Sequence, residues 1–265
     1  MPKIINTGTD QLLANYNKGI VTLTLNNPKY KNALSEKLTP YLRRILKKIN
    51  KDSKYKLLVI KGSGNSFCSG GNIKGMGEKN IKEKKTVKIK SLIKKQSELT
   101  GLLYSLNIPT IAAITGATAG AGFSIALACD LRVGNKDSFF ISNYSRVGLS
   151  GDYGISWFLT NQFGASKAKE IMMLNNRIYA DEALRIGLLN FCFKKDFDKK
   201  LETICNDIVS QSSLAIKHIK SNINAASYFE LHKSLEMEAY NLIDCSDSIE
   251  HKIAVKNFKK KLIHL

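Results

Sequence analysis

The sequence predicts an α/β fold that ends in a helical C-terminal region. Strand-like and helix-like stretches alternate over roughly the first 195 residues, which is typical of α/β proteins. Two continuous apolar runs, "YKLLVIKG" (55–62) and "TIAAITG" (110–116), are each followed by a glycine-rich turn. From about Asp198 the pattern is helical to the end. The chain is 43% hydrophobic, which is ample for a core.

In the first half of the chain, "GIVTLTLNN" (19–27) alternates apolar and threonine residues, which predicts a half-buried strand. Ser35 is predicted to cap a helix whose apolar face holds Leu38, Leu42, Ile45 and Ile49. Residues 55–62 read as a strand buried on both faces. After the glycine-rich loop 62–77, a helix is expected over about 88–106, ended by "NIP".

In the second half, residues 110–116 predict another buried strand, and "ATAGAGFSIALACD" (117–130) becomes an apolar helix. "LRVGNKDSFFISN" predicts short strands. Three helices are then expected, in "ISWFLTNQFG", "ASKAKEIMMLN" and "ADEALRIGLLN".

Composition excludes several classes of function. The net charge is +19, but the lysines are dispersed along amphipathic segments, which favours solvated faces over a nucleic-acid surface. No apolar run is long enough for a membrane span or a signal peptide, so we expect a cytoplasmic protein. The five cysteines show no CxxC spacing, and all four histidines lie in the last fifth of the chain. We therefore expect reduced thiols and no metal site or Ser-His-Asp triad.

The two glycine-rich turns do not match nucleotide-binding motifs. In "GSGNSFCSGG" (62–71), Gly64 is followed by Phe67 where a third glycine would open a helix. The turn with Gly116, Gly120 and Gly122 has neither GxGxxG nor GxxxxGK[ST] spacing. Small residues do let backbone N–H groups approach a ligand oxygen closely. Two turns of this kind could form an oxyanion hole for a thioester enolate.

Four segments then carry a resemblance to a known family: "VTLTLNNPKYKNALS" (21–35), "FCSGGNIKGM" (67–76), "IPTIAAITGATAGAGFSIALACDLRV" (108–133) and "ADEALRIGLLN" (180–190). Together they resemble the crotonase family, also called enoyl-CoA hydratase/isomerase. The resemblance implies a spiral of ββα turns over residues 1–197 and a C-terminal helical trimerisation region over 198–265. It also implies homotrimers or dimers of trimers. The implied substrate is an acyl-CoA thioester, with no separate cofactor.

Carried over by position, the resemblance makes the N–H groups of Ser69 and Ala121 the two oxyanion donors. Lys29 and Lys31, together with Lys74, could meet CoA phosphates, although each is equally well explained as a solvated lysine. The resemblance places other substrate contacts at Cys68, Gly70, Gly71, Asn72, Ile73, Gly120, Gly122, Ser124 and Tyr144.

Acidic residues distinguish hydration from isomerisation within this family. The two glutamates that activate water in the family's hydratases fall at positions occupied here by Ser124 and Tyr144. Between residues 99 and 169 the acids are Asp130, Asp137 and Asp152, and the first two have structural explanations. Asp152, in "GLSGDYG", resembles the acid/base of the isomerase branches, which also have a tryptophan five residues on. Gly151 departs from that pattern, because proline is common there.

We therefore predict an enoyl-CoA isomerase, of the Δ3,Δ2 or epoxyphenylacetyl-CoA type, in which Asp152 shuttles a proton. Enoyl-CoA hydratase or a related lyase is the alternative. A non-catalytic acyl-CoA or RNA-binding homologue is a third reading, which the high charge favours and the dispersed lysines oppose. Side chains that could wall the acyl pocket, or simply belong to the core, are Phe123, Phe140, Tyr144, Tyr153 and Trp157.

Overall fold

A computed structural model describes residues 2–71 and 84–262 of the chain. The strands are β1 (Lys3–Ile5), β2 (Leu12–Asn17), β3 (Ile20–Leu25), β4 (Leu57–Gly62), β5 (Ser66–Cys68), β6 (Thr110–Ile114), β7 (Ala117–Ala119), β8 (Leu131–Asn135), β9 (Phe139–Ile141), β10 (Ile178–Tyr179) and β11 (Phe191–Phe193). The helices are α1 (Thr39–Ile49), α2 (Lys85–Gln96), α3 (Leu102–Tyr104), α4 (Ala121–Ala128), α5 (Ile155–Leu174), α6 (Ala180–Arg185), α7 (Phe197–Val209), α8 (Ser213–Ala226), α9 (Leu231–Asp247) and α10 (Ile249–Leu262).

Seven strands form the larger sheet, in the order β1-β2-β3-β4-β6-β8-β11. The three N-terminal strands are antiparallel neighbours, and each later pairing in this sheet is parallel. The smaller sheet has the order β10-β9-β7-β5, in which β5, β7 and β9 run parallel.

The chain visits the two sheets alternately. Strands β4, β6 and β8 lie in the larger sheet, and each is followed by a short strand of the smaller one and then by a helix. The predicted α/β class is confirmed, and the arrangement is the ββα spiral that the resemblance implies. In each turn of the spiral, the short strand of the smaller sheet leads towards a helix. Because β5, β7 and β9 are neighbours in that sheet, the segments that follow them lie side by side.

Strand β4 is apolar on both faces because both faces are covered. Leu58 and Ile60 pack into the main core, whereas Leu57 and Val59 pack against α7. Burial on both sides explains why this parallel strand reads as a continuous apolar run.

One local expectation was wrong. The first helix begins at Thr39, and the Ser35 hydroxyl donates to the Gln11 side chain at 2.5 Å and caps no N–H group. The two helices expected before and after Gly164 are confirmed: they are joined within α5 across a kink at Gly164, whose φ of 79° and ψ of 158° are not helical.

The C-terminal helices are joined to the core through a buried lysine. Lys220 of α8 donates to the carbonyl oxygen of Ile108 at 3.0 Å and pairs with Asp130 at 2.9 Å. The Asp130 carboxylate also accepts from the backbone N–H and the hydroxyl of Thr110. Within the described ranges, no helix is long and apolar enough to cross a bilayer.

Candidate active site

The two glycine-rich turns pack backbone against backbone. A Cβ atom added to Gly70 would lie 2.8 Å from the Ala119 carbonyl oxygen and 3.1 Å from the Ala121 nitrogen. One added to Gly122 would lie 2.4 Å from the Cys68 carbonyl oxygen. Glycine is therefore required at both positions, because a side chain would force the turns apart.

Two backbone N–H groups are available where these turns meet. Ala121 is the first residue of α4, where an N–H group has no acceptor within the helix. The Gly71 N–H donates to no acceptor within the described residues. Ser69 departs from its predicted role, because its N–H already donates to the Lys31 carbonyl oxygen at 2.9 Å. Among residues 2–71 and 84–262, neither the Gly71 N–H nor the Ala121 N–H has an acceptor, so these two form the pair of available donors.

The loop that carries Asp152 is fixed from three sides. The Tyr144 hydroxyl donates to Asp152 Oδ1 at 2.5 Å, and the Ser124 hydroxyl donates to the Asp152 carbonyl oxygen at 3.1 Å. The next residue, Tyr153, donates its N–H to the Gln96 side chain at 3.1 Å. Gly151 has φ 118°, a conformation that side chains rarely adopt. The two positions that lack the hydratase glutamates therefore both contact Asp152.

Two chambers meet at this point. The smaller chamber has a volume of about 270 Å³ and the larger about 510 Å³. Gly71, Ala121 and Asp152 line both. The rest of the smaller chamber's wall is formed by Ser69, Gly120, Ser142, Asn143, Tyr144, Arg146, Val147 and Leu149. A group bound to the two N–H donors would thus lie beside the carboxylate of Asp152.

Burial sets the protonation of the acid and its neighbour. Removal from water raises the pKa of Asp152, and the hydrogen bond from Tyr144 partly offsets this rise. Burial and the adjacent carboxylate both raise the pKa of Tyr144. Tyr144 therefore stays a neutral phenol at physiological pH, donating to a carboxylate that is more basic than usual.

Several predicted contacts lie elsewhere. Cys68 is fully buried, and burial raises its pKa to about 12, so its side chain is a packing group. Gly122 lies behind the chamber walls, against Cys68. Lys29 and Lys31 are exposed beside the Ser69 turn. Asn72 and Ile73, together with Lys74, lie outside the described residues.

Of the aromatic side chains predicted to wall an acyl pocket, some line the two chambers and others lie in the core. Tyr144 lines the smaller chamber and Tyr153 the larger. Phe123 and Phe140 are fully buried against each other, with ring centroids 5.1 Å apart. Trp157 instead stacks on Tyr228, so its position near Asp152 in sequence does not bring it to the chamber walls described here.

The sequence does not predict that the N–H of Gly71 is the available donor. The turn offers several consecutive N–H groups, and which one is free depends on the pairing of residues 69–71 with the loop around Lys31 and Leu34. Gln96, which holds the Asp152 loop, gave no signal because it lies 57 positions away from Tyr153. In the described parts of the chain, no group of three His, Cys, Asp or Glu side chains could hold a metal ion.

Comparison with known proteins gives the family. A profile of the enoyl-CoA hydratase/isomerase family matches residues 15–263, almost the whole chain. The chain therefore belongs to the enoyl-CoA hydratase/isomerase family, an enzyme family with the crotonase fold.

Individual relatives have two kinds of activity in their names. A short-chain-enoyl-CoA hydratase of Clostridium acetobutylicum is 29% identical over 91% of this chain and 92% of its own. The 1,2-epoxyphenylacetyl-CoA isomerase of Escherichia coli is 26% identical over 86% and 87%. The crystal structure of an enoyl-CoA hydratase from Polaromonas superposes with a TM-score of 0.87 at 29% identity, covering 94% and 97% of the two chains.

Proposed function

We propose that the protein binds acyl-CoA thioesters and moves a carbon–carbon double bond within the acyl group, with Asp152 as the only acid/base. The observation that carries this proposal is one partly buried carboxylate placed beside two N–H donors that have no acceptor among the described residues. The same three residues line both chambers, so a thioester held there has space on either side.

The proposed reaction is a proton transfer. The thioester carbonyl oxygen accepts hydrogen bonds from the N–H groups of Gly71 and Ala121. Asp152 removes a proton from an allylic carbon, and the electron pair of that C–H bond passes into a dienolate whose negative oxygen the two N–H groups stabilise. Asp152 then returns the proton to another carbon of the same system. Atoms and charge balance without water.

The surroundings of Asp152 support this chemistry. A raised pKa brings the carboxyl closer to the range in which one group can both accept and deliver a proton. The positions of the two water-activating glutamates hold Ser124 and Tyr144, and neither supplies a second carboxylate. A single base suffices for isomerisation, because no water is added.

The test is incubation with 3-enoyl-CoA and 2-enoyl-CoA thioesters. We expect conversion of the former to the 2-enoyl isomer, with no 3-hydroxyacyl-CoA formed from the latter. Asp152→Asn should lower kcat by about 10²–10⁴-fold, the usual contribution of a general acid/base. Asp137→Asn, which alters an exposed turn, is the matched control. Full activity in Asp152→Asn would exclude the assignment.

Hydration is the second candidate, and the names of the relatives favour it. Three of the relatives at 29% identity have enoyl-CoA hydratase in their names. In that case Asp152 alone would have to activate the water, because the Tyr144 phenol is bound directly to its Oδ1. Formation of 3-hydroxyacyl-CoA from 2-enoyl-CoA, lost in Asp152→Asn, would select this reaction.

A further inference from the structure

The larger chamber contains a cation with an unused hydrogen-bond donor. Arg43 of α1 lines this chamber, and its side chain is only 16% exposed. Its Nε atom is buried and, within the described residues, has no hydrogen-bond partner. Buried polar groups normally have partners, so this guanidinium in the chamber wall has hydrogen-bonding capacity that no described residue uses.

The carboxylate of Glu98 does not hydrogen-bond to this guanidinium. Glu98 lies 3.8 Å from Arg43 Nη1, beyond hydrogen-bond distance, and is itself bound to Lys47 at 2.7 Å. Glu36 and Lys95 also line the chamber, but both side chains are exposed at its rim and have opposite charges. The guanidinium is a planar fork that matches the two oxygens of a carboxylate.

The two chambers can be matched to the two halves of a thioester. Ser69 lines the smaller chamber, and its hydroxyl and N–H bind the carbonyl oxygens of Tyr30 and Lys31. Under the proposed function, the phosphates of CoA would meet the exposed lysines of that loop, Lys29 and Lys31, and the pantetheine arm would then lie on the side of the smaller chamber. The acyl group then extends into the larger chamber, towards Arg43.

We propose that Arg43 binds a carboxylate at the far end of the acyl group, so that the preferred substrates are CoA thioesters of dicarboxylic acids. This inference rests on the proposed acyl-CoA site, but it does not depend on which reaction follows. It makes Arg43 a specificity-determining residue. The acyl group would be held at both ends, by N–H donors at the thioester and by the guanidinium at the carboxylate.

Calorimetric binding of two saturated thioesters tests this without any turnover. Glutaryl-CoA and pentanoyl-CoA have the same chain length and differ in a terminal carboxylate against a methyl group. In the unmodified protein we expect glutaryl-CoA to bind the more tightly. In Arg43→Gln the ratio of the two affinities should fall by about tenfold to a hundredfold, the usual effect of a hydrogen bond to a charged group. Pentanoyl-CoA should bind Arg43→Gln within about twofold of the original affinity, which also shows that the variant is folded.

Lys48→Gln removes an exposed charge from the same helix and should leave both affinities unchanged. An unchanged affinity ratio in Arg43→Gln would overturn the proposal, as would a loss of both ligands in a variant with an unaltered thermal unfolding curve. That second result would mean that Arg43 binds a phosphate of CoA.

The N-acetylcysteamine thioester of glutarate, which has no phosphate, must lose affinity in Arg43→Gln if the acyl carboxylate is the partner. If neither CoA thioester binds the unmodified protein, the acyl-CoA function itself fails.

Discussion

The carboxylate of Asp152 has two influences that act in opposite directions. Burial favours the neutral acid, whereas the hydroxyl of Tyr144 stabilises the anion at 2.5 Å. Because burial is the larger influence, the pKa of Asp152 is raised. Tyr144 donates to one carboxylate oxygen, and no described residue donates to the other, which can accept a substrate proton.

Removal of the phenol should shift the pH dependence of activity. A base must be deprotonated to act, so kcat/KM falls as the pH drops through the pKa of Asp152. Tyr144→Phe deletes the hydrogen bond that lowers this pKa, so the acidic limb of the profile should move to higher pH. Tyr153→Phe, which also alters a tyrosine in a chamber wall, should leave the limb in place. A limb that stays or moves to lower pH in Tyr144→Phe would contradict the role given to Tyr144.

The buried charge also destabilises the fold. A carboxyl with a raised pKa in the folded state binds protons more tightly there than in the unfolded chain, where its pKa is about 3.9. The native state therefore loses stability as the pH rises from the unfolded-state pKa, about 3.9, to the higher pKa of the folded state. Asp152→Asn should raise the free energy of unfolding at pH 7 and change it little near pH 4. Denaturant titrations at the two pH values measure this, and an equal effect at both would count against burial as the cause.

At the scale of elements, the close contact of the two glycine turns positions the N–H donors. Gly122→Ala would place a methyl group 2.4 Å from the Cys68 carbonyl oxygen, so α4 and the Gly70 turn must separate. Loss of one such donor lowers kcat by about 10²–10³-fold. We expect a fall of that order in steady-state kinetics. Gly101→Ala, whose new methyl group meets nothing closer than 3.9 Å, is the control and should retain full activity. Unchanged kinetics in Gly122→Ala would show that the turns can separate without harm.

The sequence predicted elements best where burial and pattern agree. Strands β4 and β6 are apolar on both faces, and the threonine alternation of β3 reflects one exposed face. The N-terminal hairpin of β1 and β2 was not predicted. Leu12 and Ala14 are buried, but exposed Leu13 interrupts the apolar alternation. Gly164 is a helix-breaking residue in the sequence, and α5 is interrupted by a kink at that position.

Prediction of the site was limited by long-range contacts. The acid, Asp152, is distinctive because few carboxylates occur in that part of the chain. The exchange of Ser69 for Gly71 as donor follows from pairing with the Lys31 loop, nearly forty positions away, which local pattern does not encode. Arg43 reads as one more polar position on an amphipathic helix until the chamber is seen.

For the whole molecule, assembly is the main expectation from the family resemblance. The C-terminal helices of the single chain expose large apolar side chains, including Ile223 (65%), Tyr240 (79%) and Leu242 (68%). Large apolar side chains exposed in such number on neighbouring helices are typical of interfaces. We expect light scattering to give three or six times the chain mass of 29.5 kDa.

Charged substitutions should locate this interface. Tyr240→Asp combined with Leu242→Asp should shift the protein towards single chains, because a buried unpaired carboxylate opposes association. Met173→Asp changes an exposed apolar residue outside the C-terminal region and should leave the mass unchanged. A monomeric unmodified protein would disprove the assembly.

The lysine that ties α8 to the core also affects the order in which the chain can fold. Lys220 binds the backbone 112 positions earlier, at Ile108, just before β6 begins. Contacts of such long sequence separation slow folding. During synthesis the N-terminal part emerges first, and Asp130 is without its cation until α8 has left the ribosome. We therefore expect the segment that leads from β6 through β7 to Ala121 to reach its final packing only late in translation.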